Sequence, residues 1–168
     1  MRRWPLLVLL FAMSCAAVAQ SGASSPVSGL NPGMVVGSWE LNLRSSSWGT
    51  LPPPKSATIN VLQFDGRGMQ WTANSTDENG NAIEASWAGA LDGTPVEATG
   101  TDTGIYYSFQ SGEDGIHELT TFPDGSRISS VATFSSDGTT LTLRRHMSSP
   151  TRGEADWTEV YNKTTTGE

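Results

Sequence analysis

Apolar and polar residues alternate along most of this chain with a period of two, in short runs cut by Asp-Gly or Asn-Gly. Side chains in an extended strand point alternately to two faces, so each run is expected to form a half-buried β-strand. The dipeptides stand at Asp65-Gly66, Asn79-Gly80, Asp92-Gly93, Asp114-Gly115, Asp124-Gly125 and Asp137-Gly138. Gly, Asn and Asp accept the positive φ that tight hairpin turns require. Ten strands follow, at 35–43, 56–64, 68–76, 82–91, 95–100, 104–110, 115–122, 126–135, 139–147 and 155–162. Helical periodicity is nearly absent. Tight turns between neighbours favour an all-β, up-and-down antiparallel β-barrel of about 8–10 strands over a Greek-key sandwich, which needs long crossovers.

The alternation also sorts the faces. Met69, Trp71 and Ala73 share one face of the third strand, and Ile83, Ala85, Trp87, Gly89 and Leu91 one face of the fourth. Ile105, Tyr107 and Phe109 do the same in the sixth. Ile128, Ser130, Ala132 and Phe134 do so in the eighth. In the ninth, Leu141, Leu143 and Met147 oppose Thr140, Thr142, Arg144 and His146. One buried and one wet face suit a closed sheet, which also removes aggregation-prone edges. Ser130 and Ala132 leave volume beside larger neighbours, which points to a hollow interior.

Two stretches break the rhythm. Residues 44–55 read as a loop containing Trp48 and Pro52-Pro53-Pro54, a stiff segment suited to a flap over one barrel mouth. Residues 148–154, with Pro150 and Gly153, read as a second loop.

The first 33 residues carry a different pattern. Arg2-Arg3, the apolar run Trp4–Met13 and Ala17-Val18-Ala19 form the positive, apolar and small-residue parts of a secretory signal peptide, residues 1–19, cleaved near Ala19. The apolar run is shorter than the roughly 20 residues that span a bilayer, so no transmembrane span is expected in the mature chain. Cys15 is the only cysteine, and no disulfide framework follows cleavage. An alternative is lipidation of Cys15, a weak lipid anchor, since Ala12-Met13-Ser14-Cys15 resembles a bacterial lipobox with Ala12 where a branched aliphatic is usual. Residues 20–33 are a Ser/Gly/Pro linker, 34–163 the barrel and 164–168 a tail. The expected location is secreted or periplasmic.

Loss of Arg2 and Arg3 leaves 8 basic against 17 acidic side chains, a formal charge of −9. No basic run remains, which argues against nucleic acid and anionic membranes as partners.

Gly37-Ser38-Trp39 on the first strand resembles the opening motif of the lipocalin (calycin) group, as found in bacterial exported β-barrel domains. The resemblance implies that Trp39 closes the barrel floor and that a late arginine, Arg144 or Arg145, stacks on its indole. It also implies that Asn31-Pro32-Gly33 forms a short turn before strand one. The group's second motif, centred on Thr-Asp-Tyr, has a faint echo in Thr101-Asp102-Thr103 and Tyr106. The helix that usually follows the last lipocalin strand is absent.

Trp71, Trp87, Tyr107, Phe109 and Phe134 are the candidates to line a cavity for a small hydrophobic or amphipathic ligand, with Trp48 at the mouth. The alternative is a filled barrel that contacts another exported protein through its loops. An enzyme is not expected. His117 and His146 have no metal-ligand spacing, there is no nucleophile elbow, and no cofactor or metal motif is present. Acidic turn residues lack calcium-loop spacing. Catalysis on a bound ligand would need an ionisable group inside the barrel, for which Arg145 and Glu118 are the candidates by strand parity.

Overall fold

A computed structural model describes residues 30–101 and 103–164. The signal peptide, Cys15, the linker up to residue 29, Asp102 and residues 165–168 lie outside the described residues. A short helix α1 (Pro32–Val35) precedes eleven strands. They are β1 (Gly37–Leu41), β2 (Ser56–Phe64), β3 (Gly68–Thr76), β4 (Ala82–Ala90), β5 (Val96–Glu97), β6 (Thr99–Gly100), β7 (Tyr106–Gly112), β8 (Gly115–Thr121), β9 (Arg127–Phe134), β10 (Thr140–Ser149) and β11 (Gly153–Thr164). All pairings are antiparallel, and nearly all join sequence neighbours, with β11 returning to β1. This is the up-and-down barrel that the tight turns imply.

The seam lies between β4 and β7. The segment 91–101 crosses it: Val96 pairs with Tyr107 on β7, and Thr99 with Ser86 on β4. Nearer the other end of the seam, Gly93 N–H donates to Phe109 O at 2.8 Å and Ser111 N–H to Leu91 O at 3.3 Å. The strand expected at 95–100 is thus two short pieces that serve two different neighbours. Ala98 between them is buried.

The stretch 148–154, read as a loop, differs as well. β10 and β11 pair without interruption from Thr140↔Asn162 to Ser149↔Gly153, so the hairpin extends to a tight turn at Pro150. Strand periodicity ended at Met147 in the sequence because Ser148, Ser149 and Pro150 carry no apolar signal. Backbone pairing needs none. In β2 the register shifts between Val61 and Gln63. That bulge turns Leu62 outward and keeps Val61 and Phe64 both buried, although they are three apart.

One end of the barrel is closed. α1 begins at Asn31, whose side chain accepts from Met34 N–H at 3.1 Å, with Pro32 at the first helical position. Trp39 is fully buried above it and donates its indole N–H to Val35 O at 3.0 Å. The cation over its ring is Lys163, with Nζ 5.1 Å from the centroid, and not Arg144 or Arg145. The same ammonium donates to Gly33 O at 2.7 Å, tying the last strand to α1. Gly37 holds φ at +143°, a conformation that residues with a side chain rarely adopt. The Gly-x-Trp motif therefore combines a backbone position suited to glycine with a buried indole under Lys163. Residues 32 and 33, placed in the linker by composition, are part of this floor, and β11 runs on to Thr164.

The opposite end carries the loops 42–55, 77–81, 122–126 and 150–152. Trp48 and Leu51 fold onto Met147, Ala155 and Trp157, a second apolar cluster that covers the β10–β11 side of this end. Among the described residues no helix is long and apolar enough to cross a membrane.

Candidate functional site

The interior is hollow. A cavity of about 280 Å³ opens at the loop-bearing end, between Pro54, Thr58, Ser75 and Ile83, and descends to Phe134. Phe134 rests edge-on against Trp39 at 5.4 Å between ring centroids, so the closed floor is also the bottom of the cavity. The volume lies near the lower end of the range for small-molecule sites, about 300–1,000 Å³. Small inward residues make the space: Ala57, Ala73, Ala85 and Ala132 all line it.

One wall is aromatic. Trp71 meets Tyr107 at 5.2 Å and Phe109 at 6.3 Å, both edge-to-face. Tyr107 and Phe109, two residues apart on β7, are parallel at 6.2 Å. Of the aromatic residues expected in a cavity, Trp71, Tyr107, Phe109 and Phe134 line it. Trp87 and Trp48 do not. Trp87 packs behind Phe109 at 4.6 Å, with its ring over Gly89, where a Cβ would come within 2.5 Å of the indole. Strand parity aimed Trp87 inward correctly, but the bare glycine two residues on draws the ring down along its own strand. Trp48 is half-buried on the second apolar cluster. The proline-rich loop still reaches the mouth, through Pro54.

The other wall is ionic. Interstrand register sets Phe109, Glu118, Ser130, Arg145 and Trp157 side by side on five neighbouring strands, all in the inward phase. Arg145 Nη1 lies 3.7 Å from Glu118 Oε1, and its Nε 3.4 Å from Glu159 Oε1. Neither carboxylate depends on the arginine alone. Thr120 donates its hydroxyl to Glu118 Oε1 at 2.7 Å. Trp157 Nε1 donates to Glu159 Oε1 at 2.7 Å, and Tyr161 OH to Glu159 Oε2 at 2.8 Å. Indole N–H is a donor only, so Glu159 Oε1 must be an acceptor. Burial, then the nearby Glu159 charge, push the Tyr161 phenol well above its ordinary range, which keeps it protonated and donating. Burial works against the charge on Arg145, but the charges of Glu118 and Glu159 outweigh it and raise its pKa, so the guanidinium stays charged. Ser130, 4% exposed, keeps a hydroxyl with no hydrogen-bond partner between Glu118 and Arg145.

Arg145 and Glu118 thus both face the interior, as their parity implied, whereas Arg144 is exposed on the outer face. Sequence reasoning missed Glu159, Tyr161, Trp157 and Thr120. The signal was available: in β11 the inward phase reads Ala155, Trp157, Glu159, Tyr161, a carboxylate among buried positions. His117 and His146 stand outside, paired with Asp114 at 2.6 Å and Asp156 at 2.8 Å. Among the described residues no group of three or more His, Cys, Asp or Glu side chains is placed to hold a metal.

Hollow barrel, closed floor and one open mouth define the class: an all-β, up-and-down antiparallel barrel with an internal cavity. No family model matches the sequence, and no curated protein matches it. Solved structures do. The fluorescent protein UnaG, as its N57A mutant, is 13% identical over 79% of this chain and 97% of its own, with a TM-score of 0.53. A redesigned β-barrel, b11L5F_LGL, is 10% identical over 79% and 93%, with a TM-score of 0.49. The REP1-NXSQ fatty acid transporter is 11% identical over 79% and 97%, with a TM-score of 0.47. The likeness to UnaG bears on the fold alone.

Proposed function

We propose that this protein binds and carries a small, mostly apolar molecule in its barrel cavity, outside the cytoplasm, and is a carrier and not an enzyme. The observation that carries the reading is the cavity itself, open at one end, aromatic on one wall and polar on the other. Such a lining holds the body of a ligand by burial and orients it with a few placed polar groups. A barrel meant only as a scaffold would fill that space with Leu or Phe where Ala73, Ala85 and Ala132 stand. The interaction-module alternative has less support, because its key residue, Trp48, is packed on Met147, Ala155 and Trp157 instead of forming an exposed patch. The signal peptide read at residues 1–19 supports export.

The test is uptake of the neutral probe N-phenyl-1-naphthylamine by the protein spanning residues 20–168, read by probe fluorescence. Binding of one probe per chain is expected, and Ala132→Leu should abolish it while leaving the fold intact by circular dichroism. Undiminished uptake by Ala132→Leu would place the probe elsewhere and overturn the reading.

A further inference from the structure

The polar wall has an unequal charge balance. It holds one guanidinium and two carboxylates, and both carboxylates already accept from donors other than the arginine. Arg145 stands at ion-pair distance from both, 3.7 Å and 3.4 Å, although its buried Nε makes no hydrogen bond. A ligand carboxylate would bring a third negative charge into a site of low dielectric that already holds two. The reverse charge meets no such obstacle. Glu118 stands directly opposite Phe109 in the sheet, and Trp71 and Tyr107 lie beside Phe109. A carboxylate next to aromatic rings is the chemistry that recognises an organic cation, through ion pairing and the negative faces of the rings.

We infer that the cavity selects an amphiphile with an ammonium head over one with a carboxylate head, the head lying between Glu118 and the Trp71–Tyr107–Phe109 wall. This rests on the carrier reading and names the ligand class within it. The floor and the apolar lining of Ala57, Ala73, Ala132 and Leu141 take the hydrocarbon part, and the excess negative charge of the polar wall decides the head.

The experiment is displacement of bound N-phenyl-1-naphthylamine by dodecylamine, 1-dodecanol and dodecanoate at neutral pH and submicellar concentration. Dodecylammonium should displace the probe at a concentration at least about tenfold lower than dodecanoate, with the alcohol between them. Glu118→Gln should shrink that ratio severalfold. Glu113→Gln, an exposed change of the same charge at the closed end, should not, which separates the cavity from the acidity of the whole chain. Equal or tighter binding of dodecanoate overturns the inference, as does a ratio that Glu118→Gln leaves unchanged. If Glu118→Gln does not fold, Glu159→Gln takes its place, and the wild-type ratio decides by itself whether a carboxylate is preferred. A probe that binds but is displaced by none of the three overturns the inference and leaves the carrier reading standing. A probe that does not bind removes both.

Discussion

Arg145 and Glu159 lie on adjacent strands but not opposite each other: Arg145 faces Trp157 across the ladder, and its Nε reaches diagonally to Glu159 Oε1 at 3.4 Å. Trp157 fills the direct position and spends its own N–H on the same oxygen. The arginine is the one positive charge of the inner wall described here, balanced against Glu118 and Glu159 together. Arg145→Met should therefore cost about 3–5 kcal/mol, the usual result of leaving a buried charge without its partner. Urea denaturation measures it. A loss below about 1 kcal/mol would mean that the carboxylates take up protons in place of the arginine.

At the floor, Lys163 spans Trp39 and α1. Lys163→Ala should cost about 0.5–2 kcal/mol, the range for a cation–π contact from exposed to desolvated. Trp39→Ala should cost about 3–5 kcal/mol, as for a fully buried tryptophan. Thermal and urea denaturation of both variants, with Arg144→Ala as the comparison, checks the assignment. A larger effect from Arg144 than from Lys163 would reverse it.

Trp48 and Leu51 fold over Trp157, whose N–H holds Glu159. Trp48→Ala should destabilise by about 1–3 kcal/mol, less than a fully buried aromatic because Trp48 is only half-buried. Because Trp48 does not line the cavity, probe affinity should change less than stability does. A loss of probe binding with stability unchanged would make Trp48 a ligand contact after all.

Tyr161 should resist ionisation in the folded protein. Tyr161 has its pKa raised by burial and by Glu159, so its contribution to stability is complete below the ordinary phenol value and is lost as pH rises through the higher folded value. Absorbance of phenolate should show Tyr161 ionising only with alkaline unfolding. In Tyr161→Phe the alkaline unfolding midpoint should move.

The turn aspartates act at the other end of the scale. In Asp65, Asp92 and Asp124 the pKa is lowered first by backbone N–H groups of the turn, and in Asp77 and Asp137 first by side-chain donors, Asn81 and Ser135. A lowered folded pKa contributes stability that is present above the unfolded value near 3.8 and lost as pH falls through the folded one. The melting temperature should hold steady from neutral pH down to about 5 and then decline. Asp77→Asn, which removes the charge from one turn, should make that decline shallower.

The up-and-down order, the turns and the inward phase of the third, fourth, sixth, eighth and ninth expected strands were written in the sequence, because alternation and Asp-Gly turns are local. Parity aimed Trp71, Phe109, Phe134, Glu118 and Arg145 inward without any structure. Gly37-Ser38-Trp39 marked the floor. What parity cannot supply is which inward residues meet, since that depends on register between strands far apart in sequence. Register put Lys163, and not Arg144 or Arg145, over Trp39, and freed Arg145 to join Glu118 and Glu159. Nor does alternation distinguish a hollow barrel from a filled one. The tertiary structure decided it by turning Trp87 down over Gly89, by folding Trp48 onto Trp157, and by setting alanines on β2, β3, β4 and β9 around the same space. Side-chain volume is a property of one residue, but a cavity is what remains when many of them are packed at once.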